Sequence, residues 1–410
     1  MDNALYPPER AATALLQAAR PLGVEAVMLD AAYGRTLAED VTSPLSLPPF
    51  DRAAMDGYAV RYEESWPELV VAGTIRAGDA PGILKPGTAL RIFTGAALPA
   101  GADTVIEQEA CRLVATETRV RAVQIQIEGS PGRNVMKEGH EIGMAAPVMG
   151  AGTRLSPYHV SLLASIGRDR VLVRRRPRVS IVETGDELQS PATPLAPGHI
   201  YASNGSLVRA LVAEWGGEVL EMRRVPDVPE ATREALLGLA PMADLVVVTG
   251  GVSVGDFDCV PAALEEVGRR LFWGVGIHPG RATAGGVVAG TPVAALSGNP
   301  GAAVVGWLTV VAPFWAAWHG GRLSERWQRV PLAGGFRKRT REPRFVPVRV
   351  RGGVAAADLP QGADVVTVYL EADGFAVLPA GSGPLDADAV VDVWEPGGIG
   401  GRYPRWSGPV

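Results

Sequence analysis

This chain of 410 residues has little lysine, few cysteines and a small net charge, and the last two of these restrict the class of protein. Lys85, Lys137 and Lys338 are its only lysines, which we attribute to genome composition. The formal net charge is −5 and the pI is near 5.7, whereas nucleic-acid-binding proteins are usually strongly basic. We therefore expect no nucleic-acid partner and favour small-molecule chemistry.

The two cysteines, Cys111 and Cys259, are too far apart in sequence to form a CxxC metal motif or a disulfide framework. The first ten residues, MDNALYPPER, lack the basic segment and the apolar run of a signal peptide. Both observations are compatible with a protein of the reducing cytoplasm. We therefore expect a cytoplasmic location and no secretion.

Charged residues are missing from 282–319, and 302–318 are nearly long enough to span a bilayer. A membrane-spanning helix is one interpretation of this segment. Pro313 interrupts it, however, and the chain has no second candidate. A buried helix in a layered α/β domain explains the same apolar composition with fewer assumptions, so we expect no membrane association.

The remaining sequence, 47% apolar and 20% charged, is typical of a folded protein with several domains. The segment PPERAATALLQAAR predicts a helix that begins near Pro7 and Pro8. From about residue 57 to 148, short β-like runs alternate with turns. After RPRVSIVETGDEL the pattern becomes strand, loop and helix, repeated, which predicts a largely parallel sheet. Beyond about residue 327 the sequence returns to short strands.

Three loops of the strand–loop–helix region carry polar residues at the ends of predicted strands. Since ligands bind at the carboxyl ends of parallel strands, we expect these loops to converge. The residues are Asp186 and Glu187 in TGDEL, Ser253, Asp256 and Asp258 in GGVSVGDFD, and Asn299 in SGNPG.

Glycines in the same loops allow backbone N–H groups to approach an anion such as phosphate; they are Gly250, Gly251, Gly255 and Gly298. Phosphate and carboxylate repel each other unless a cation lies between them, so the loops predict a Mg²⁺-bridged phosphorylated ligand. An aspartate before a helix is also a common N-cap, which is the alternative for any single loop. No Walker A motif is present, and GGVSVG alone is too weak for a dinucleotide fingerprint.

Motifs in order along the chain resemble those of the molybdopterin molybdenumtransferases, which are related to the E domain of gephyrin. They are MDGYAV, TGAALPAGADTVIEQE, GRNVMKEGHEIG, AGTRLSPYHVSLLASIG, TGDEL, GGVSVGDFD and SGNP. The resemblance implies a multidomain α/β protein: a parallel α/β molybdopterin-binding domain, a β domain, a segmented connecting domain and a C-terminal β-barrel. The implied boundaries are 1–44 with 149–176 for the connecting domain, 45–148 for the β domain, 177–327 for the α/β domain and 328–410 for the barrel.

The resemblance also implies a function in molybdenum cofactor biosynthesis, in which molybdate is inserted into adenylylated molybdopterin and AMP is released. It implies Mg²⁺ dependence, a homodimer with the site between two subunits, and contacts with other proteins of cofactor synthesis. The implied catalytic residues are Asp56, Thr94, Asp227 and Arg281. Those implied to bind the pterin are Gly250, Gly251, Ser253, Gly255, Ser297, Gly298, Asn299 and Pro300, and the metal-binding carboxylates are Asp186, Glu187, Asp256 and Asp258. Asp227 rests on the resemblance alone, because VPDVPEA looks like an ordinary helix cap.

Several positions depart from the family pattern. Gly274 stands where the family commonly has lysine, and HPGR (residues 278–281) replaces KPGK. Ser297 replaces the first proline of LPGNP, and Pro347 and Ala363 stand where the family has Arg and Ser. Most of these changes remove positive charge, so the alternative is a divergent paralogue, weakly active or inactive, that acts as a pterin-binding or scaffold protein.

Overall fold

The computed structural model describes residues 5–62, 68–115, 121–253, 255, 258–323, 325–337, 341–396 and 406–407. The chain forms two compact units. The first unit consists of Met1–Glu39, Gly150–Ser156 and Arg170–Val410, and the second of Asp40–Met149 and Pro157–Asp169. Each unit is therefore built from segments that are not consecutive in sequence.

Helices and strands follow one another in both units. The α-helices are α1 (Pro8–Ala18), α2 (Pro157–Ser165), α3 (Asn204–Glu214), α4 (Pro229–Leu239), α5 (Val260–Val267), α6 (Pro300–Gly306) and α7 (Ala312–Trp318). The strands up to residue 201 are β1 (Val24–Met28), β2 (Val41–Thr42), β3 (Arg52–Ala53), β4 (Gly57–Val60), β5 (Leu69–Ile75), β6 (Thr88–Ile92), β7 (Thr104–Glu107), β8 (Cys111–Ala115), β9 (Arg121–Ile125), β10 (Val135–Met136), β11 (Pro147–Met149), β12 (Arg170–Arg174), β13 (Arg178–Thr184), β14 (Leu188–Gln189) and β15 (Ile200–Tyr201). The later strands are β16 (Glu218–Val225), β17 (Leu245–Thr249), β18 (Gly268–Trp273), β19 (Ala284–Val288), β20 (Thr291–Leu296), β21 (Arg322–Leu323), β22 (Glu325–Ala333), β23 (Arg344–Arg351), β24 (Val354–Ala356), β25 (Gly374–Leu378), β26 (Ala389–Pro396) and β27 (Trp406–Ser407).

The first unit contains a six-stranded sheet in the order β16-β13-β17-β20-β19-β18. The first four of these strands run parallel, and β19 and β18 are antiparallel to their neighbours. Apolar side chains of β17 alternate between two core clusters, Leu245 and Val247 in one and Val246 and Val248 in the other. Both faces of the strand are therefore covered, as its uninterrupted apolar sequence predicts.

The apolar segment after β20 is a core helix of the first unit. Pro300–Trp318 is continuous through a π-helical turn, Trp307–Val311, between α6 and α7. It is long and apolar enough to cross a membrane, but 89% of its most apolar window is buried inside the protein. Trp307 and Trp315 are both 0% exposed and pack against each other. The interpretation of this segment as a buried helix is confirmed.

The C-terminal part of the first unit is a closed barrel of the strands β22-β24-β23-β25-β26. Its interior is apolar and includes Val348, Phe336 and Val393. The C-terminal β domain expected from the sequence is therefore a barrel. The predicted boundary between residues 327 and 328 falls within β22 (Glu325–Ala333).

The second unit is built on a six-stranded sheet in the order β7-β4-β6-β5-β9-β8. Only the β5–β6 pair in this sheet is parallel. Helix α2, which belongs to the same unit, is followed by Gly167 with a φ of 77°, a left-handed conformation suited to glycine. The β character predicted for residues 57–148 is thus confirmed.

Candidate active site

A cavity of about 630 Å³ lies at the carboxyl ends of β13, β17 and β20. These strands are neighbours in the sheet, so the loops that follow them meet at one edge. The volume of this cavity is in the range of small-molecule binding sites. The three loops that the sequence singled out therefore converge on one cavity.

Most of the predicted site residues line this cavity. They are Glu187, Asp227, Gly250, Gly251, Ser253, Gly255, Asp258, Ser297, Gly298, Asn299 and Pro300. Asp186 does not line the cavity itself, but its backbone N–H is hydrogen-bonded to Asp227, which does. Asp256 lies outside the described residues.

Gly250 and Gly251 follow β17 in a conformation that only glycine adopts easily. Their φ angles are 90° and 63°, in the left-handed region. A Cβ at Gly250 would also lie 2.5 Å from the carbonyl oxygen of Thr184. The loop after β17 therefore keeps bare backbone at the cavity wall, which suits the close approach of a ligand.

Three aspartates from three loops interact at the cavity. The backbone N–H of Asp186 donates to Asp227 Oδ2 over 3.4 Å, and the N–H of Asp227 donates to Asp186 Oδ1 over 3.3 Å. Burial, and then the charges of Asp186 and Asp258, raise the pKa of Asp227. Asp258 accepts a hydrogen bond of 2.8 Å from the N–H of Gly255. Carboxylates that repel one another in this way favour a bound cation.

A cation at this cavity would need ligands from the substrate as well as from the protein. Within the described residues, no group of three His, Cys, Asp or Glu side chains is arranged to hold a metal ion. Mg²⁺ commonly takes one or two carboxylates and completes its shell with water and phosphate oxygens. The carboxylates of Glu187, Asp227 and Asp258 fit that role.

Glu183 is a buried carboxylate that the sequence reasoning missed. It lies near the end of β13 and is only 2% exposed. Its Oε1 accepts a hydrogen bond of 2.7 Å from the N–H of Gly205, and its Oε2 lies 3.6 Å from Arg224 Nη2. The sequence signal that could have identified Glu183 was its position directly before the TGDEL motif. The side chain fixes the start of α3 against the cavity wall.

Helices α3 and α6 both begin at the cavity. Ser203 and Asn204 line it at the start of α3, and Asn299 and Pro300 line it at the start of α6. The Asn204 side chain donates a 2.7 Å hydrogen bond to the carbonyl oxygen of Gly298, which ties the two helix starts together. Helix N-termini carry partial positive charge and therefore favour an anionic ligand.

Negative side chains dominate the cavity wall. Asp364, from the barrel part of the same chain, joins Glu183, Glu187, Asp227 and Asp258 in the lining. No lysine, arginine or histidine lines this cavity in the part of the chain that the structure describes. An anionic ligand in this cavity would therefore lie beside negative side chains. The positive charge it needs would have to come from cations that enter with the ligand or that the cavity already holds.

Three of the implied catalytic residues lie outside this cavity lining. Arg281 is exposed and forms a 3.3 Å ion pair with Glu342. Asp56 and Thr94 belong to the second unit, where Thr94 donates to Asp56 Oδ1 from its N–H over 2.8 Å and from its hydroxyl over 2.7 Å. These bonds lower the pKa of Asp56. Asp56 and Thr94 therefore form a hydrogen-bonded pair within the second unit.

A larger cavity of about 1120 Å³ lies elsewhere in the first unit. Tyr6, Phe314, Phe345 and Trp394 are among its mostly apolar lining residues. The described residues that line it include no cluster of carboxylates comparable to that at the sheet edge. The smaller cavity is therefore the better candidate for chemistry.

Comparison with known proteins gives family matches to three segments that together cover most of the chain. Residues 6–167 match the family model "MoeA N-terminal region (domain I and II)", residues 180–317 match "Probable molybdopterin binding domain", and residues 329–395 match "MoeA C-terminal region (domain IV)". The matched segments follow one another in the order of the structural regions described above.

Individual relatives are similar over nearly their full length. The molybdopterin molybdenumtransferase of Haemophilus influenzae is 32% identical and covers 91% of this chain, which spans 94% of that protein. The Bacillus subtilis protein of the same name is 34% identical, with coverages of 90% and 89%. A crystal structure of the molybdopterin biosynthesis moeA protein from Pyrococcus horikoshii is 27% identical, with a TM-score of 0.81, and covers 96% of this chain and all of that one.

Proposed function

Because the chain belongs to the molybdopterin molybdenumtransferase family, we propose that it inserts molybdate into adenylylated molybdopterin in a Mg²⁺-dependent reaction that releases AMP. The observation that carries the proposal is the cavity at the sheet edge, where carboxylates and bare glycine backbone converge. A ligand with phosphates and a bound divalent cation matches both features.

Each part of the cavity has a role in this proposal. The backbone at Gly250 and Gly251 and the starts of α3 and α6 bind and orient the phosphates. Residues Ser253, Gly255, Ser297, Gly298, Asn299 and Pro300 complete the walls around the pterin. The substrate is held at the edge of a rigid sheet, so its reacting groups are positioned before chemistry begins.

The metal is assigned to the acidic side chains. Glu187 and Asp258 would hold Mg²⁺, Asp186 and Asp256 are proposed as further metal-binding carboxylates on the sequence motif, and Asp227 would contribute another carboxylate. When bound, Mg²⁺ would neutralise charge on the phosphates of the ligand. Thr94 holds the Asp56 carboxylate in its ionised form through the two hydrogen bonds described above. Asp56 and Thr94 are proposed as catalytic residues on the family resemblance.

The cellular location and the oligomeric state that we propose rest on the same family membership. We place it in the cytoplasm as a homodimer that meets other proteins of molybdenum cofactor synthesis. Sedimentation equilibrium should give about twice the 42.9 kDa mass of one chain. A monomer at micromolar concentration that still catalyses the reaction would refute a site shared between two subunits.

A second candidate function is a divergent paralogue that binds molybdopterin without turnover, as a scaffold. The absence of a basic side chain from the described cavity lining favours it, together with Gly274 and His278 at positions where the family commonly has lysine. An anionic substrate is bound less tightly when cationic partners are lost.

The two candidates are separated by one experiment. Purified protein is incubated with adenylylated molybdopterin, molybdate and Mg²⁺, and AMP is quantified by chromatography while active cofactor is measured by reconstitution of an apo-molybdoenzyme. We expect stoichiometric AMP and active cofactor, and neither when Mg²⁺ is chelated. Pterin binding without either product would support the scaffold function instead.

A further inference from the structure

A third cavity in the first unit is small and is lined by basic side chains. It measures about 10 Å³ and shares no described lining residue with the two cavities above. Arg35, Arg174, Arg176 and His319 line it, and no aspartate or glutamate is among its described lining residues. The charge of its wall is thus opposite to that of the cavity at the sheet edge.

The arginine-rich segment 174–178 supplies two of these side chains. Arg175 donates to the carboxylate of Asp244 over 2.8 and 2.9 Å, and the backbone N–H of Arg178 donates to the same carboxylate over 2.8 Å. Arg174 and Arg176, at alternate positions of the chain, line the cavity instead. In the described part of the chain no ion pair is found for either of these two arginines, whereas Asp244 lies within ion-pair distance of Arg175 and Arg178.

Arg35 and Arg154 bring two more guanidinium groups to the same place. Arg35 is only 8% exposed, and its Nη2 is bonded to the carboxylate of Glu25 and donates to the carbonyl oxygen of Arg174 over 2.9 Å. Arg154 donates from its Nε to the carbonyl oxygen of Gly34, another lining residue, over 3.3 Å. Among the described residues, Glu25 is the one carboxylate paired with an arginine of the cavity lining.

The concentration of positive charge acts on the titratable groups around the cavity. Burial, and then the charges of Arg154, Arg174 and Arg35, lower the pKa of His319 to about 4. Burial raises the pKa of Glu214, although the charge of Arg154 opposes that rise. His319 is therefore neutral at pH 7, and the arginines alone supply the charge of the wall. Like charges held together in a partly buried place are unfavourable, and an anion between them would offset that cost.

The size of the cavity restricts the anion. A volume of about 10 Å³ holds one particle of roughly the size of a water molecule. Phosphate, sulfate and organic acids are too large for this space. A water molecule would fit but would leave the charge of the arginines unbalanced, so a monatomic anion suits the cavity better.

We propose that the cavity between Arg35, Arg174, Arg176 and His319 binds one halide ion, which neutralises the arginine cluster and stabilises the first unit. The site is separate from the reaction proposed above. Guanidinium groups suit it because they stay charged and present several N–H donors to an anion. A ligand that binds only the folded chain raises its stability in proportion to the logarithm of the ligand concentration once the site is mostly filled.

Binding is measured with chloride at pH 7.5, by exchanging sodium gluconate for sodium chloride at constant ionic strength. Tryptophan fluorescence is the readout, because Trp215 lines the cavity, and gluconate is too large to enter it. Arg176→Gln removes an exposed guanidinium and should weaken chloride affinity about tenfold or more. Arg178→Gln changes an arginine of the same segment that lies beside Asp244, and this matched control should bind chloride as the wild type does.

Thermal unfolding gives a second measurement. Saturating chloride should raise the melting temperature of the wild type by roughly 2–4 °C relative to gluconate. The rise should disappear in Arg176→Gln and persist in Arg178→Gln. Comparing variants in the same two salts removes the general effect of each salt on protein stability.

Bromide locates the site directly. In crystals soaked in sodium bromide, anomalous scattering should place an ion between Arg35, Arg174 and Arg176. The proposal fails if no bromide is found in this cavity, or if wild type and Arg176→Gln bind chloride equally. It also fails if Arg178→Gln loses as much affinity as Arg176→Gln, because net charge alone would then explain the effect. None of these measurements requires turnover, so their outcome is independent of the proposed function.

Discussion

Replacing Glu187 or Asp258 with alanine should lower Mg²⁺-dependent kcat/KM by at least about 100-fold, because a catalytic cation contributes several kcal/mol to the transition state. Both side chains line the cavity, and within the described part of the chain neither forms an ion pair with a lysine or arginine that would make it structural. The Mg²⁺ concentration that gives half-maximal rate should rise in each variant. Steady-state AMP release measured against Mg²⁺ concentration gives both quantities.

Folding must be measured beside activity, because Asp258 also accepts the hydrogen bond from Gly255. Glu234→Ala removes an exposed carboxylate from α4, outside the cavity, and is the control that should keep full activity. Full turnover in Glu187→Ala or Asp258→Ala would show that the metal assignment is wrong. Loss of more than roughly 2 kcal/mol of unfolding free energy would identify a structural carboxylate instead.

The first unit should lose about 3 kcal/mol of unfolding free energy between pH 7 and pH 4 through His319 alone. Burial, and then the charges of Arg154, Arg174 and Arg35, lower the pKa of His319 from 6.5 to about 4. A histidine whose pKa is lowered by folding binds more protons when unfolded. Its contribution is therefore complete above pH 6.5 and is lost as the pH falls towards 4.

Replacing His319 with glutamine removes this titration. Chemical unfolding monitored by tryptophan fluorescence suits the measurement, because Trp315 stacks on His319. The difference in unfolding free energy between wild type and variant should shrink as the pH falls from 6.5 to 4, while His199→Gln, at an exposed loop position, should follow the wild type. A difference that stays constant across this range would contradict the assignment.

The parallel sheet and the loops that follow its strands could be predicted, because the apolar pattern of each strand is contained in a short stretch of sequence. The apolar run of β17 predicted a buried parallel strand, and the loops that follow β13, β17 and β20 were then bound to meet at one edge. Asp258 and Glu187 were found in this way. Asp227 was not, since an acid before a helix is usually only a cap and its neighbours in space come from other loops.

Residues that approach the site from a distant segment gave no local signal. Asp364 reaches the cavity from the barrel, and Arg344 meets the HPGR turn through bonds between segments far apart in sequence. Arg281, in contrast, was implied as a catalytic residue by the family resemblance, but the sequence could not show that Glu342 already pairs with it. Contacts of this kind depend on how the barrel packs, which periodicity does not encode.

The close approach of Gly205 to Glu183 makes the residue at each position depend on the residue at the other. A Cβ at position 205 would lie 2.5 Å from the carboxyl carbon of Glu183, and Glu183 in turn needs the N–H of Gly205 and the charge of Arg224. In this arrangement a side chain at position 205 and a glutamate at position 183 would occupy the same space. A residue larger than glycine at position 205 therefore requires Glu183 to move or to be replaced with it, so the two positions should be exchanged together in any redesign of this wall.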